Sequence, residues 1–249
     1  MQPITRPKQS SRNVEPVKPQ MVRGESATRR LRWGFWLCIV IAGAAVIRRL
    51  VTLASPSQSG PPGAIDLDRV FASHATLTLA HILPAFAFVV LLPFAVLRRF
   101  SRLAWPERCL FPLGIIVGLT AYAMSIYPVG GWIERSAVLF YDTLFLFSLG
   151  RAWLYRKQGR RREERLWLLR AVAVLLGIAT TRPVMVLFFA TRSLTHLRPD
   201  QFFGIAFWIG FSINVIAFES WVRMNQRSEN SRQDAIQASQ STHGPPPGA

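Results

Sequence analysis

Six stretches of about 20 mostly apolar residues constrain this chain more than any other feature, because a helix of that length covers the hydrocarbon core of a bilayer. They run over residues 33–54, 73–97, 109–126, 134–155, 166–190 and 202–224. Soluble helical bundles alternate polar and apolar faces, whereas these segments are apolar nearly all round. The expected fold is an all-α membrane protein, a bundle of about six transmembrane helices over residues 33–224. The flanking tails, 1–32 and 225–249, are rich in polar residues and are expected to be disordered. The first apolar run lies behind 32 mostly polar residues and is too long for a signal core, so it reads as an anchor that stays.

Charge gives the bundle an expected orientation. Only 17% of residues are charged, against roughly a quarter in a soluble domain. Lys and Arg number 30 against 13 Asp and Glu, for a net charge of +17. With the N-terminus placed inside, 21 basic residues fall in the tails, loops and span ends of that side (counting the C-terminal tail from Arg223) and 4 on the other (Arg69, Arg135, Arg192 and Arg198). Such a bias predicts a multi-pass protein of the bacterial inner membrane with both termini in the cytoplasm. The run R-K-Q-G-R-R-R-E-E-R at 156–165 then reads as a loop that sets topology and touches anionic inner-leaflet lipid, not as a nucleic-acid site. The two cysteines, Cys38 and Cys109, lie near expected cytoplasmic helix ends, where no disulfide is expected.

Ionisable residues inside spans are costly, roughly 2.5–3.5 kcal/mol for Arg or Asp at the bilayer centre. At about 1.5 Å per residue, His81, Asp142, Arg182, Arg48 and Arg49 fall at similar levels in the outer half and form a candidate polar layer. One reading makes this layer a site for a small anionic or quinone-like head group, with Arg182 and Arg48 or Arg49 supplying positive charge. The other pairs Asp142 with Arg182 and lets Arg48 and Arg49 snorkel to the outer interface. Nearer the cytoplasmic ends, Arg170 and Glu219 read as a fastening between the last two helices, and Asn214 as an interhelical hydrogen bond. Gly114 and Gly118 form a small-x-x-x-small motif for close helix contact.

Other chemistry is sparse. The sequence contains no Gly-rich phosphate loop, C-x-x-C, H-E-x-x-H or nucleophile elbow. His74 and His81 are seven residues apart on one helix face, and the remaining histidines are His196 and His243. Two stacked haems would need more facing His residues than these, and one haem would require His74 with His196. No haem, metal or other cofactor is expected. A proton-handling role for His81 stays open.

Between residues 70 and 224 several short motifs share a pattern. They are Ala80-His81-Ile82-Leu83, the basic loop R-R-F-S-R-L-A-W-P-E-R, the helix entry E-R-L-W-L-L-R at 164–170, Arg182, and Trp208, Asn214 and Glu219 on the last span. This pattern resembles a family of bacterial membrane proteins known as domain of unknown function 2306. Glu107 and Glu164 stand where that family has His, so any metal or haem those histidines hold in relatives has lost them here. The resemblance implies a membrane fold and supplies no activity. The sequence thus leads to a membrane protein with a charged intramembrane cluster and no legible reaction. Three alternatives remain open: transport of a small molecule or proton, a haem- or quinone-linked electron-transfer subunit, and a non-catalytic membrane partner.

Overall fold

The computed structural model describes residues 22–54, 71–96, 105–191, 194 and 199–242. These residues are all-helical, with no strand among them. In chain order the helices are α1 (Val22–Ala54), α2 (Ala75–Val96), α3 (Trp105–Met124), α4 (Gly131–Lys157), α5 (Arg161–Leu175), α6 (Gly177–Ala190) and α7 (Pro199–Thr242). Four helical segments among the described residues are long and apolar enough to cross a membrane: Trp33–Ala54, Gly131–Lys157, Arg161–Ala190 and Gln201–Ala238. Two shorter apolar stretches, Ala75–Leu91 and Arg108–Met124, lie where the second and third spans were expected.

The distribution of side chains is that of a membrane protein. Large apolar residues such as Val40, Ile47, Leu119, Phe140, Val186 and Ile216 are exposed on the outside of the bundle. Thr78, Ser125, Glu134, Asp142, Ser148, Glu164 and Thr181 are buried inside it. Soluble monomers rarely expose contiguous apolar surface on this scale. A bilayer removes the cost of outward-facing hydrocarbon and raises that of outward-facing polar groups.

Helix α4 is the centre of the packing, contacting α3, α5 and α7. Phe88, Leu110, Val117, Tyr141, Phe145 and Leu149 form its main core with α2 and α3. Gly114 and Gly118 let α3 approach α4 closely: a Cβ at Gly114 would lie 2.6 Å from a Leu149 methyl, and one at Gly118 2.5 Å from a Leu146 methyl. The notch of two glycines thus receives two leucines. On the other side, α6 and α7 touch through Gly177 and Gly210, whose missing side chains admit Phe211 and Thr181. Helix α1 lies at the edge of the bundle, and Ala42 is the one buried residue among its described side chains.

The structure departs from the sequence reading in three places. The fifth span is long enough to cross as expected, Arg161–Ala190, but its helix is interrupted at Leu176, which separates α5 from α6. The ordinary α-helical bond from the Leu176 N–H to Val172 O at 2.8 Å is followed by a tighter i→i−3 bond from the Ala179 N–H to Leu176 O at 3.0 Å. Gly177 weakens the helix at this point, and Pro183 removes the N–H that would bond to the Ala179 carbonyl. Helix α7 does not give way to a disordered tail after residue 224 but continues through Thr242. Residues 225–242 contain neither Gly nor Pro, and adding turns to an existing helix avoids the cost of nucleation. Arg162 also pairs with Glu229 on this extension. Finally, α1 begins at Val22, within the expected disordered segment 1–32, of which residues 1–21 lie outside the described residues.

Candidate functional site: a polar cavity inside the bundle

A cavity of about 230 Å³ lies between α1, α2, α3, α4, α7 and the Leu176 joint. Most of its wall is apolar and aromatic, including Phe71, Phe86, Phe145, Phe203 and Phe207. Set into that wall are His81 from α2, Asp142 from α4, Arg182 from α6 and Arg49 from α1. Four of the five residues of the expected polar layer therefore face one space. Arg48 does not: it is exposed and is not part of the wall.

The wall also contains Glu134, Arg135 and Tyr141, which were not singled out from the sequence. Glu134 and Tyr141, and Arg135 and Asp142, are seven residues apart, so each pair shares one face of α4. That periodicity was readable, but Glu134 and Arg135 fell at the assigned boundary of the fourth span and were counted as its edge. Glu134 is buried, and its Oε2 accepts the Gly130 N–H at 2.6 Å. Gly131, the first residue of α4, has φ +63°, a left-handed conformation that only glycine adopts at little cost. This tight entry points Glu134 back at the start of its own helix. Gly204 of α7 packs against the same turn, where a Cβ would lie 2.7 Å from the Glu134 N.

Each polar group is held differently. The His81 Nδ1 lies 3.2 Å from Val117 O and 3.0 Å from Thr120 Oγ1 on α3. Thr120 Oγ1 itself donates to backbone carbonyls of its own helix. The Val117 carbonyl only accepts, so Nδ1 carries the proton and Nε2 presents a lone pair in the neutral ring. The Tyr141 hydroxyl pairs with Ser212 Oγ at 2.6 Å, and its ring stacks on Phe211 at 5.0 Å. The Arg49 guanidinium lies over the Phe71 ring, 4.2 Å from its centroid. Arg135 lies 5.7 Å from the centroid of Trp132 and takes part in no ion pair among the described residues.

Asp142 is the wall's acceptor without a bond, beside the Nε atoms of Arg135 and Arg182, which are also buried and make no hydrogen bond among the described residues. It is 8% exposed, and its Oδ2 is buried with no hydrogen-bond partner among the described residues. The expected ion pair with Arg182 is not formed, although both residues face the cavity. Depth arithmetic placed them at one level but said nothing of the angle around each helix axis. An unsatisfied buried acceptor costs on the order of 1–3 kcal/mol, more when charged, and Asp142 Oδ2 adds a cost of that order to the wall.

The other expected polar contacts lie away from the cavity. Arg170 grips Glu219 through two hydrogen bonds, Nε to Oε1 at 2.6 Å and Nη2 to Oε2 at 3.2 Å, joining α5 to α7. Asn214 Oδ1 accepts from Thr180 Oγ1 at 2.9 Å, joining α7 to α6. Glu164 is 3% exposed and bound by Arg156 at 3.2 Å and Arg161 at 3.1 Å. It works as a charged anchor for the turn between α4 and α5. His74 stacks on Tyr127 with ring centroids 4.0 Å apart, and its Nδ1 meets Ser73 Oγ at 3.0 Å. His196, His243 and the side chain of Glu107 lie outside what is described.

No family model matches this chain, and neither a curated protein nor a solved structure matches it.

Proposed function

We propose that this protein crosses the bacterial inner membrane six times, with both termini in the cytoplasm, and that its cavity is a binding chamber for a small amphipathic molecule. The bias of 21 basic residues to 4 supports the orientation. The two shorter apolar stretches in α2 and α3 support a count of six. Membership of the family called domain of unknown function 2306 is part of the same proposal, supported by the placement of His81, Arg182, Asn214 and Glu219 at contacts between helices or on the chamber wall.

The observation that carries the chamber reading is Asp142 Oδ2, a buried carboxylate oxygen without a partner on the wall of an aromatic cavity. A ligand hydroxyl would satisfy it. His81 Nε2 offers a second acceptor, and Arg135 and Arg182 offer donors to a ligand oxygen. At about 230 Å³ the chamber is smaller than the roughly 300–1,000 Å³ of sites for drug-sized ligands. It therefore fits a single-ring molecule with oxygen functions, of phenol or quinone type, whose ring lies among the phenylalanines.

The test is anaerobic fluorescence titration of the purified protein in detergent with a short-chain quinol, the reduced form of a quinone probe. Saturable quenching is expected for the native protein. About tenfold weaker binding is expected for Asp142→Leu, through loss of one charge-assisted hydrogen bond to the hydroxyl of the reduced probe, and none for Val138→Phe, which fills the chamber. Equal, unsaturable quenching in all three proteins would overturn the reading. A second reading, transport of the same molecule or of protons, is favoured by Glu134, which extends the polar wall toward the outer end of α4. Solute flux into vesicles that disappears with Glu134→Gln would distinguish it.

A further inference from the structure

A second space, of about 320 Å³, lies between α4, α5 and α7 on the other side of α4's inner half. Its walls are mostly apolar, formed by Leu144, Phe147, Val215 and Phe218 among others, and Trp167, Arg170 and Glu219 line the part nearest the expected cytoplasmic helix ends. Phe147 is 56% exposed, so the groove lies on the perimeter of the bundle, where lipid would meet it. At that end two guanidinium groups lie on the Trp167 ring: Arg170, which lines the groove, at 4.5 Å, and Arg151, which is not part of its wall but borders Trp167, at 5.4 Å from its centroid. Glu219 neutralises Arg170 through the two hydrogen bonds described above. Arg151 donates to the Tyr155 hydroxyl at 2.6 Å but takes part in no ion pair among the described residues. Arg151 therefore brings to the Trp167 end of the groove one positive charge that has no ion-pair partner among the described residues.

The geometry points to a specific site for one anionic phospholipid, with its phosphate on Arg151 and an acyl chain along the groove. The direction of the groove fits this occupant. Arg151 and Trp167 each lie six residues from the inner end of their helix, about 9 Å in depth, which is the interfacial level where Trp residues concentrate. Leu144 and Val215 lie nearer the bilayer centre, so a chain entering the groove from the phosphate would run inward. A guanidinium offers several donors in a planar fork that suits phosphate oxygens, and Arg151 has spent one of them on Tyr155. A zwitterionic lipid would bring a compensating positive charge to the same end and gain less. The inference rests on the membrane placement proposed above but not on the ligand chamber. Val138→Phe, which blocks the chamber, should leave lipid binding unchanged.

The test is native mass spectrometry of the full chain in detergent with phosphatidylglycerol or phosphatidylcholine of identical chains. One phosphatidylglycerol should bind about tenfold more tightly than phosphatidylcholine, and Arg151→Gln should remove that preference. Arg227→Gln, on the exposed extension of α7, should keep it. Ala173→Leu, which narrows the groove, should weaken binding of both lipids. If Arg151→Gln does not yield folded protein, Arg151→Lys should preserve the preference while Ala173→Leu loses the bound lipid. Equal binding of the two lipids, an unchanged preference in Arg151→Gln, the same loss in Arg227→Gln, or no effect of Ala173→Leu would each overturn the proposal.

Discussion

Replacing Gly210 with Ala should loosen the α6–α7 contact, and the same change at Gly150 should not. A Cβ built on Gly210 lies 2.6 Å from Thr181 Cγ2, 2.7 Å from Thr181 N and 2.8 Å from Thr181 Cα. Carbon atoms pack best at about 3.5–4.0 Å, so the helices would have to part by roughly 0.7 Å or more. Two of the three atoms are backbone and cannot rotate away, and Thr181 is fully buried. Overpacking of this kind costs about 1–3 kcal/mol, while Ala in place of Gly returns up to about 1 kcal/mol of helix propensity. The net expectation, with the full propensity gain subtracted, is up to about 2 kcal/mol of destabilisation. A Cβ on Gly150 meets nothing within 4 Å, so only the propensity gain remains there. Thermal unfolding in detergent should show Gly210→Ala melting several degrees below the native protein, at about 2–4 °C per kcal/mol, and Gly150→Ala at or above it. Indistinguishable midpoints, or the opposite order, would refute the packing argument.

Glu164→Ala removes the carboxylate between Arg156 and Arg161 and should destabilise by about 3 kcal/mol, read as a lower unfolding midpoint. An unchanged midpoint would show the anchor to be dispensable. Exchanging Arg170 and Glu219 with each other should recover most of the about 1–2 kcal/mol lost by either single Ala variant, because the pair holds two helices and binds no solute. A double exchange no better than the single variants contradicts that. Nitrogen NMR of labelled His81 should show the neutral ring protonated at Nδ1, and an Nε2-protonated ring would mean that Val117 O is not its partner. Reporters fused at the N-terminus and in the 191–201 loop should lie on opposite sides of the membrane, and finding both on one side would refute six crossings.

The apolar segments were legible because hydrocarbon length and side-chain polarity are properties of the sequence itself. Gly114 and Gly118 were legible for the same kind of reason: absent side chains predict close contact whatever the partner. His81, Arg49, Asp142 and Arg182 were found by the cost of charge in a span, which indicates that such residues face the bundle. That cost does not say which of them meet. The Asp142–Arg182 pairing rested on depth alone, and rotation about each helix axis, set by packing around Gly177, Gly204 and Gly210, decides contact. Glu134 and Arg135 were missed through a boundary, although their seven-residue spacing to Tyr141 and Asp142 placed them on the same face. The continuation of α7 to Thr242 was hidden by polar composition, which resembles a tail when read without the helix that precedes it.

The central claim is that the cavity around Asp142 holds a small amphipathic molecule in the membrane. Its most direct test is organic extraction and mass spectrometry of protein purified gently from native membranes, with the native chain and Val138→Phe compared side by side. The account predicts one small ring-bearing molecule at near-stoichiometric amount in the native protein and its loss from the chamber-filled variant. Identical extracts from the two proteins would contradict it.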